Sequence, residues 1–220
     1  MAVIFDFDGV IADTEKLHFE ASRLVLADRG VSLDQARYYT KYLGYNDAMM
    51  AEAVAKDQQL FALDADLSAF IREFIHDKGL AYAKIKSSGA VLFPGVADGI
   101  VRLAAEFPIA IASGAFREEI EEILDGVGLT HHFLAIVGAG DVRHSKPHPA
   151  PYLEAARRIG VDPSTCVAIE DSMWGLDAAR AAGMRTIAVT NTYPAAQLSA
   201  DRVISEMADV TPDLVRALLA

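Results

Sequence analysis

Two aspartates one residue apart, Asp6 and Asp8, follow the apolar run "AVIF" in the first ten residues of the sequence. The run is typical of a buried strand, and unpaired carboxylates at the end of such a strand cost several kcal/mol. An acidic turn would explain the pair, as would a calcium-binding loop. A calcium loop needs ligands at its fifth and twelfth positions and glycine at its sixth. Counted from Asp6, these positions hold Val10, Leu17 and Ile11, which excludes the calcium loop.

Polar residues also follow three later apolar runs. Ser113 and Gly114 follow "IAIA", Lys146 lies in "SKPHP" beyond "LAIVG", and the pair Glu170 and Asp171 follows "CVAI". Each feature alone is ambiguous, since a Ser-Gly pair is usually a turn and a Lys-Pro pair usually lies on the surface. The carboxyl ends of parallel strands meet at one edge of a sheet. Together the segments therefore bring four acids, a hydroxyl and a lysine to one place.

This set of side chains predicts phosphate chemistry at a metal site. Clustered carboxylates repel one another unless a cation lies among them, and Mg²⁺ prefers oxygen ligands. A magnesium site formed by Asp6, Asp171, one backbone carbonyl and water would suit a phosphorylated substrate. Lys146 would neutralise phosphate oxygens, and the Ser113 hydroxyl with nearby backbone N–H groups could donate to one of them.

Five short apolar runs are expected to form the strands that position these residues. From the second run onward they alternate with helical segments, the pattern of a doubly wound, Rossmann-like α/β fold with a parallel sheet. We predict strands at residues 2–5, 109–112, 134–138, 166–169 and 186–189, and helices at 117–128 and 174–183.

The segment between the first two strands has a different pattern, without an apolar run of the parallel-strand type. Residues 15–30 have a helical pattern closed by Gly30, which predicts one helix there. Further along, an amphipathic stripe recurs at helical spacing, at Leu67, Phe70, Ile71, Phe74 and Ile75.

We therefore expect two domains. An α/β core domain would span 1–13 and 89–220, with an inserted all-helical domain at 14–88. Thr14 would be the outgoing hinge, and "KSSGAVLFPG" at 86–95 would be the connection back to the core.

Composition indicates an ordered globular protein. The sequence is 52% hydrophobic and 23% charged, and its 31 acidic and 20 basic residues give a net charge of −11. This balance argues against a nucleic-acid partner and against an anionic membrane surface. No apolar run approaches the roughly 20 residues of a membrane span, and we expect no secretory signal.

Two further features are assigned no catalytic role. Cys166, the only cysteine, begins "CVAI" and is interpreted as a packed core thiol, and a lone cysteine fits a reducing cytoplasm. "GAGD" at 138–141 lacks the third glycine and the following helix of a dinucleotide-binding loop, so that function is discounted. We expect a cytoplasmic protein that is a monomer or a weak homodimer.

The segments "DFDGVIADT", "ASG", "SKPHP" and "IEDSMWG", in that order, resemble the haloacid dehalogenase superfamily of phosphohydrolases. The resemblance covers essentially the whole chain. It is strongest for the branch that contains β-phosphoglucomutase and phosphoglycolate phosphatase, in which a helical cap is inserted between the first and second motifs. It implies a Mg²⁺-dependent phosphatase whose partner is a small phosphorylated metabolite.

Carried over residue by residue, the resemblance makes Asp6 the nucleophile that accepts the phosphoryl group as an aspartyl-phosphate. Asp8 would be the general acid for the leaving oxygen and then the base for water. Because side chains two apart in a strand point to the same side, both could flank one phosphorus. Asp6, the backbone carbonyl of Asp8, and Asp171 would hold Mg²⁺. Glu170 would be either a direct ligand or a residue that contacts the ligands. Family members that dehalogenate lack the second aspartate, so Asp8 favours phosphoryl transfer.

The resemblance further implies that Ser113, with the neighbouring Gly114, and Lys146 bind the transferred phosphoryl group. In the insertion, Thr14 and His18 match positions that β-phosphoglucomutase uses for the hinge and for a cap residue that touches the general acid. We therefore include both among the substrate-binding candidates.

Asn46 bears on the alternative functions. The mutase presents a cap arginine, in a "GxSR"-like loop, that grips the second phosphate, whereas the stretch "LGYND" here has Asn46 at that position. Loss of a bidentate phosphate clamp is not conservative, which favours a simple phosphatase over a mutase. A non-catalytic binding protein on the same scaffold would have lost the nucleophile or the general acid, and both are present.

Overall fold

A computed structural model describes residues 1–42, 45, 47–61, 64–86 and 92–220. Asn46, and residues 87–91 of the predicted connection, lie outside the described residues. The strands are β1 (Ala2–Phe5), β2 (Ile109–Ala112), β3 (Ala135–Val137), β4 (Cys166–Glu170), β5 (Arg185–Val189) and β6 (Arg202–Ile204). The α-helices are α1 (Thr14–Ala27), α2 (Gln35–Arg37), α3 (Asp47–Asp57), α4 (Asp64–Lys86), α5 (Val96–Ala104), α6 (Arg117–Gly126), α7 (Ala150–Arg158), α8 (Met173–Ala181) and α9 (Pro212–Leu219).

The strands of the described residues form one parallel sheet in the order β3-β2-β1-β4-β5-β6. The winding direction reverses beside β1, which pairs with β2 on one side and with β4 on the other; doubly wound sheets bind ligands at such a point. The predicted fold class is confirmed. The sixth strand was not predicted because, of its three residues, only Ile204 is buried, which leaves no apolar run to recognise.

Apolar side chains cover both faces of the sheet. Val3, Phe5 and Phe7 belong to one buried cluster, and Ala2 and Ile4 belong to another. This division follows from the alternation of side chains along a strand, and it explains why the strands read as continuous apolar runs. The end of β1 is therefore anchored on both sides.

The predicted helices are present with shorter bounds. α6 and α8 end two residues before their predicted ends, at Gly126 and Ala181. The cause is a C-terminal turn in each, closed by Gly128 and Gly183 with positive φ angles of 72° and 81°. α1 ends three residues before Gly30 for the same reason.

The chain divides into two compact units. One, which we call the α/β unit, comprises Met1–Thr14 and Ala90–Ala220; the other, the helical unit, comprises Glu15–Gly89. Among the described residues, no helix combines the length and the apolar composition that a bilayer span requires.

The helical unit has a core of its own, in which Phe19, Leu26, Phe70 and Phe74 are buried together with other apolar side chains. Most of the predicted stripe on α4 faces this core. The prediction is wrong for Ile75, which is 40% exposed because it lies at the wall of a cavity in the same unit.

Candidate active site

Lys146 contacts two carboxylates that lie at the ends of neighbouring strands. Its Nζ lies 2.8 Å from Asp6 Oδ1 and 2.6 Å from Glu170 Oε1. The sheet register explains the arrangement, since Phe5 pairs with Ile169 and the Asp6 N–H donates to the Ile169 carbonyl at 2.9 Å. The residue after β1 thus lies beside the last residue of β4, and Lys146 reaches both from the segment between β3 and α7.

Glu170 is fully buried, and donors occupy both of its carboxylate oxygens. Oε1 accepts from Lys146 and, at 2.7 Å, from the Tyr152 hydroxyl. Oε2 lies 3.2 Å from the Asp171 N–H nitrogen, 3.3 Å from that of Ser172 and 3.0 Å from the Ser172 hydroxyl. A carboxylate offers about four acceptor positions, and these contacts fill them. Glu170 therefore holds Lys146 in place more readily than it offers an oxygen to a ligand.

Asp171 is buried against the first loop of the chain. The Thr192 hydroxyl donates to Asp171 Oδ2, and the Asn191 side-chain amide donates to the Gly9 carbonyl at 2.8 Å. Gly9 has a φ of 79°, and a Cβ at this position would lie 1.9 Å from Asp171 Oδ2. Glycine is thus required at residue 9 both for the left-handed backbone and for the close approach of the carboxylate.

Burial and mutual repulsion shift the pKa values of this cluster. Burial, followed by the charge of Glu170, raises the pKa of Asp6 well above its ordinary value. The same two causes raise the pKa of Asp171 to about 7. Burial alone would lower the pKa of Lys146, but the charges of Asp6 and Glu170 outweigh it and raise that pKa. The lysine therefore stays protonated, and one positive charge does not offset the acids around it.

The cluster has the composition of a cation site. Asp6, Glu170 and Asp171 each offer a carboxylate oxygen within 4.8 Å of the others. An oxygen-only set with excess negative charge suits a hard divalent cation. Because the Glu170 oxygens are occupied by donors, Asp6 and Asp171 are the carboxylates best suited to bind the ion.

Asp8 lies beyond the end of β1, in an isolated bridge with Ala12 at the base of a turn, and not in a strand as the sequence predicted. β1 ends at Phe5, and the Gly9 N–H closes the turn by donating to the Ala12 carbonyl at 3.0 Å. The rule that alternate strand residues share a side therefore does not decide the placement of the Asp8 side chain. Thr14, the buried first residue of α1, helps to orient the Asp8 carboxylate, because its hydroxyl donates to Asp8 Oδ1 at 2.8 Å.

Ser113 is buried directly after β2, the other neighbour of β1. Its N–H donates to the Val137 carbonyl at 2.9 Å, and its hydroxyl accepts from the Ala115 N–H at 3.1 Å. Gly114 is exposed, and a Cβ there would meet nothing within 4 Å, so space does not require glycine. Both residues lie at the carboxyl edge of the sheet, as do Asp6 and Glu170.

His18 belongs to the helical unit, whereas the candidates above belong to the α/β unit. Its ring stacks on Tyr82 with a centroid distance of 4.5 Å. It lines a cavity of about 690 Å³ whose polar wall includes the ion pair of Lys78 with Asp47. The other lining residues are Glu15, Tyr38, Tyr45, Ala48 and Ile75.

Four residues that contact the acidic cluster or the Gly9 loop beside it were missed from the sequence. Asn191 and Thr192 follow β5, so the rule that selected the residues after the other strands would have found them. Ser172 caps α8 by accepting from the Gly175 N–H, which is a recognisable helix-start signal. Tyr152 lies in the first turn of α7 and is fully buried, and no sequence signal distinguishes it from a core tyrosine.

The haloacid dehalogenase-like hydrolase family matches residues 3–189, and the chain belongs to this family. Fructose-1-phosphate phosphatase YqaB of Escherichia coli (strain K12) is 36% identical over 188 residues, which cover 85% of this chain and 95% of that protein. Hexitol phosphatase B of the same organism is 31% identical over 191 residues, 86% of this chain and 83% of that protein. The predicted family is confirmed, and both relatives are named as phosphatases, the predicted enzyme class.

The fold is shared with solved structures. CbbY from Rhodobacter sphaeroides, crystallised in complex with phosphate, superposes with a TM-score of 0.69 at 27% sequence identity. The match covers 94% of this chain and 95% of that one.

Proposed function

We propose that the chain is a Mg²⁺-dependent phosphatase that hydrolyses a small phosphorylated sugar or sugar alcohol through an aspartyl-phosphate on Asp6. The observation that carries the proposal is the buried contact of Lys146 with Asp6 and Glu170, beside Asp171. A cluster of acids that retains a protonated lysine at the carboxyl edge of a sheet suits a substrate that carries its own negative charge.

In the first half-reaction, an Asp6 carboxylate oxygen bonds to phosphorus as the ester bond to the leaving oxygen breaks. Lys146, 2.8 Å from Asp6 Oδ1, keeps that carboxylate oriented and offers positive charge to the phosphoryl oxygens. The Ser113 hydroxyl and the backbone N–H of Gly114 would donate to those oxygens.

Asp8 serves both halves of the reaction in this proposal. Its proton goes to the leaving oxygen in the first half. In the second half the Asp8 carboxylate takes a proton from water, the water oxygen bonds to phosphorus, and the bond from phosphorus to Asp6 breaks. The hydrogen bond from Thr14 to Asp8 Oδ1 fixes the orientation of this carboxyl group.

Mg²⁺ would be held by Asp6, the Asp8 backbone carbonyl and Asp171, with Glu170 behind it as the support of Lys146. Bound there, the ion would supply charge neutralisation for the phosphoryl group and the carboxylates. The excess of acids over Lys146, and the raised pKa values of Asp6 and Asp171, support a cation at this position.

The substrate class is supported by the relatives. Two relatives are named for fructose-1-phosphate and hexitol phosphatase activity. A second CbbY structure, of a variant, holds xylulose-(1,5)-bisphosphate and matches with 27% identity.

The proposal includes a cytoplasmic location, which rests on the lone cysteine, Cys166.

The mutase is the alternative, and Asn46 is the sequence difference that argues against it. The discriminating assay mixes the protein with β-glucose 1-phosphate and a bisphosphate primer. If glucose 6-phosphate forms faster than free phosphate, the mutase is favoured over the phosphatase.

The proposal is tested with p-nitrophenyl phosphate in the presence of Mg²⁺ and after chelation with EDTA. We expect turnover that requires the metal, and a panel of sugar phosphates, short phosphorylated acids and nucleotides should rank sugar and sugar-alcohol phosphates highest in kcat/KM. Absence of turnover with Mg²⁺ on the whole panel would contradict the proposal.

A further inference from the structure

The Asp141 carboxylate lies between arginines from two different helices. Its Oδ2 accepts from Arg117 Nη2 at 2.8 Å, and its Oδ1 lies 3.1 Å from Arg158 Nη2. Oδ2 also accepts from the Gly138 N–H at 2.9 Å. Burial alone would raise the pKa of Asp141, but the Gly138 N–H and the two guanidinium groups lower it. Asp141 is therefore a charged junction within the α/β unit.

On one side of this junction, the Asp141 loop (138–141) is fastened to the Ser113 loop (113–116). The Ala139 N–H donates to the Ala115 carbonyl at 2.7 Å. The two loops pack so closely that a Cβ on Gly138 would lie 2.8 Å from the Ala115 carbonyl oxygen. Since real Cβ atoms do not approach oxygen so closely without displacement, the "GAGD" glycine at 138 permits the contact. Arg117, the first residue of α6, then connects the end of the Ser113 loop to Asp141.

On the other side, Arg158 connects the junction to α7. Its Nη1 donates to the Ile136 carbonyl at 3.0 Å, and its Nε pairs with Glu154 at 2.8 Å. The segment 142–149, which carries Lys146, runs from Asp141 to the start of α7. Asp141 directly precedes this segment, and α7, the helix that follows the segment, is joined to the same carboxylate through its last residue, Arg158.

We propose that Asp141 is a positioning residue that fixes the Ser113 loop and the Lys146 segment relative to one another, and thereby sets the affinity for the transferred phosphoryl group. It acts through Arg117 and Arg158 and touches no reacting atom. This inference rests on the proposed function, because Ser113 and Lys146 are the phosphoryl-binding groups of that proposal. It gives "GAGD" a role other than the dinucleotide binding that the sequence excludes.

The test compares Asp141→Asn with Glu154→Gln in the full chain. Asp141→Asn keeps the shape of the side chain and removes its charge. Glu154→Gln is the matched control, because it weakens the other ion pair of Arg158 and leaves Arg117 and both loops untouched. Two quantities are measured with Mg²⁺ present: the inhibition constant of inorganic phosphate against p-nitrophenyl phosphate hydrolysis, and hydrogen–deuterium exchange in the peptides that contain 113–117 and 142–149.

We expect Asp141→Asn to raise the inhibition constant of phosphate about tenfold and to raise KM more than it lowers kcat, with faster exchange in both peptides. Glu154→Gln should stay within about twofold of the parent in both measurements. Arg117→Gln should reproduce the effect of Asp141→Asn, and the double variant should lose little more than either one.

An inhibition constant for Asp141→Asn within about twofold of the parent would overturn the inference, and so would unchanged exchange in the two peptides. Equal effects of Asp141→Asn and Glu154→Gln would also overturn it, since they would indicate a general loss of stability. Failure of the proposed function appears separately, as a parent protein that does not hydrolyse p-nitrophenyl phosphate with Mg²⁺ present.

Discussion

The hydroxyl of Tyr152 donates to Glu170 Oε1 at 2.7 Å, and Lys146 Nζ contacts the same oxygen at 2.6 Å. Lys146 also lies 4.9 Å from the centroid of the Tyr152 ring. A buried tyrosine thus supports, from the side of α7, both the carboxylate that holds the lysine and the lysine itself. Tyr152 is therefore a positioning residue, which acts through Glu170 and Lys146.

Tyr152→Phe should reduce kcat about tenfold while the fold is retained, because Glu170 loses one donor and Lys146 is less firmly oriented. Steady-state kinetics with p-nitrophenyl phosphate, together with thermal unfolding, check this. Tyr42→Phe is the matched control: Tyr42 is a buried tyrosine whose hydroxyl donates to Asp57 Oδ2 at 2.6 Å in the helical unit. If the two variants lose stability alike and both keep full activity, Tyr152 has no positioning role.

Gly9→Ala should abolish most of the activity, because its Cβ would lie 1.9 Å from Asp171 Oδ2. Gly128→Ala is the control, since Gly128 has a similar φ of 72° but a Cβ there would meet nothing within 4 Å. Both substitutions should lower the free energy of unfolding by about 1 kcal/mol or more through the left-handed backbone. The activation constant for Mg²⁺ should rise for Gly9→Ala alone. Equal activation constants in the two variants would contradict the placement of the Mg²⁺ site beside Asp171.

Metal-free protein should lose stability as pH rises from about 5 to about 8. The folded-state pKa of Asp171 is raised to about 7 from an ordinary 3.8, so the folded protein binds more protons than the unfolded chain across this range. That contribution to stability is complete below the lower value and is lost as pH rises through the upper one. Carboxylates with lowered pKa values, such as Glu154, change charge below this range. Burial, followed by the charge of His131, lowers the pKa of His132 from 6.5, so this one histidine opposes the trend, whereas the raised pKa of Asp6 adds to it.

Mg²⁺ should reverse this dependence, because it binds the ionised carboxylates and so stabilises the fold more at high pH than at low pH. Urea unfolding at several pH values, with Mg²⁺ or with EDTA, measures both effects. Asp171→Asn should reduce the slope in EDTA and the gain from Mg²⁺. A metal-free protein whose stability increases from pH 5 to pH 8 would refute the interpretation of the acidic cluster as a Mg²⁺ site with raised pKa values.

Most of the site could be predicted because it depends on strand ends. Asp6, Ser113 and the Glu170–Asp171 pair each follow an apolar run, and parallel strands bring such positions to one edge. The orientation of the Asp8 carboxylate could not be predicted in this way, because it depends on a turn and on the hydroxyl of Thr14.

Residues that act from a helix or from a loop contact could not be predicted in the same way. Tyr152 is one of many buried aromatic residues, and only the three-dimensional packing of α7 against the sheet reveals its contact with Glu170. The sequence "GAGD" excludes a dinucleotide-binding loop but indicates no other role for Asp141. Its contacts with Arg117 and Arg158 join residues far apart in sequence, so no local pattern predicts them.

The central claim, that Asp6 accepts the phosphoryl group, is tested most directly by rapid acid quench of the protein with Mg²⁺ and a substrate labelled in its phosphoryl group. We predict that label becomes covalently bound to the peptide that contains Asp6 before free phosphate accumulates, and that Asp6→Asn shows neither bound label nor turnover while its unfolding transition is retained. Free phosphate formed without any labelled Asp6 peptide, or activity of Asp6→Asn within about tenfold of the parent, would contradict the mechanism.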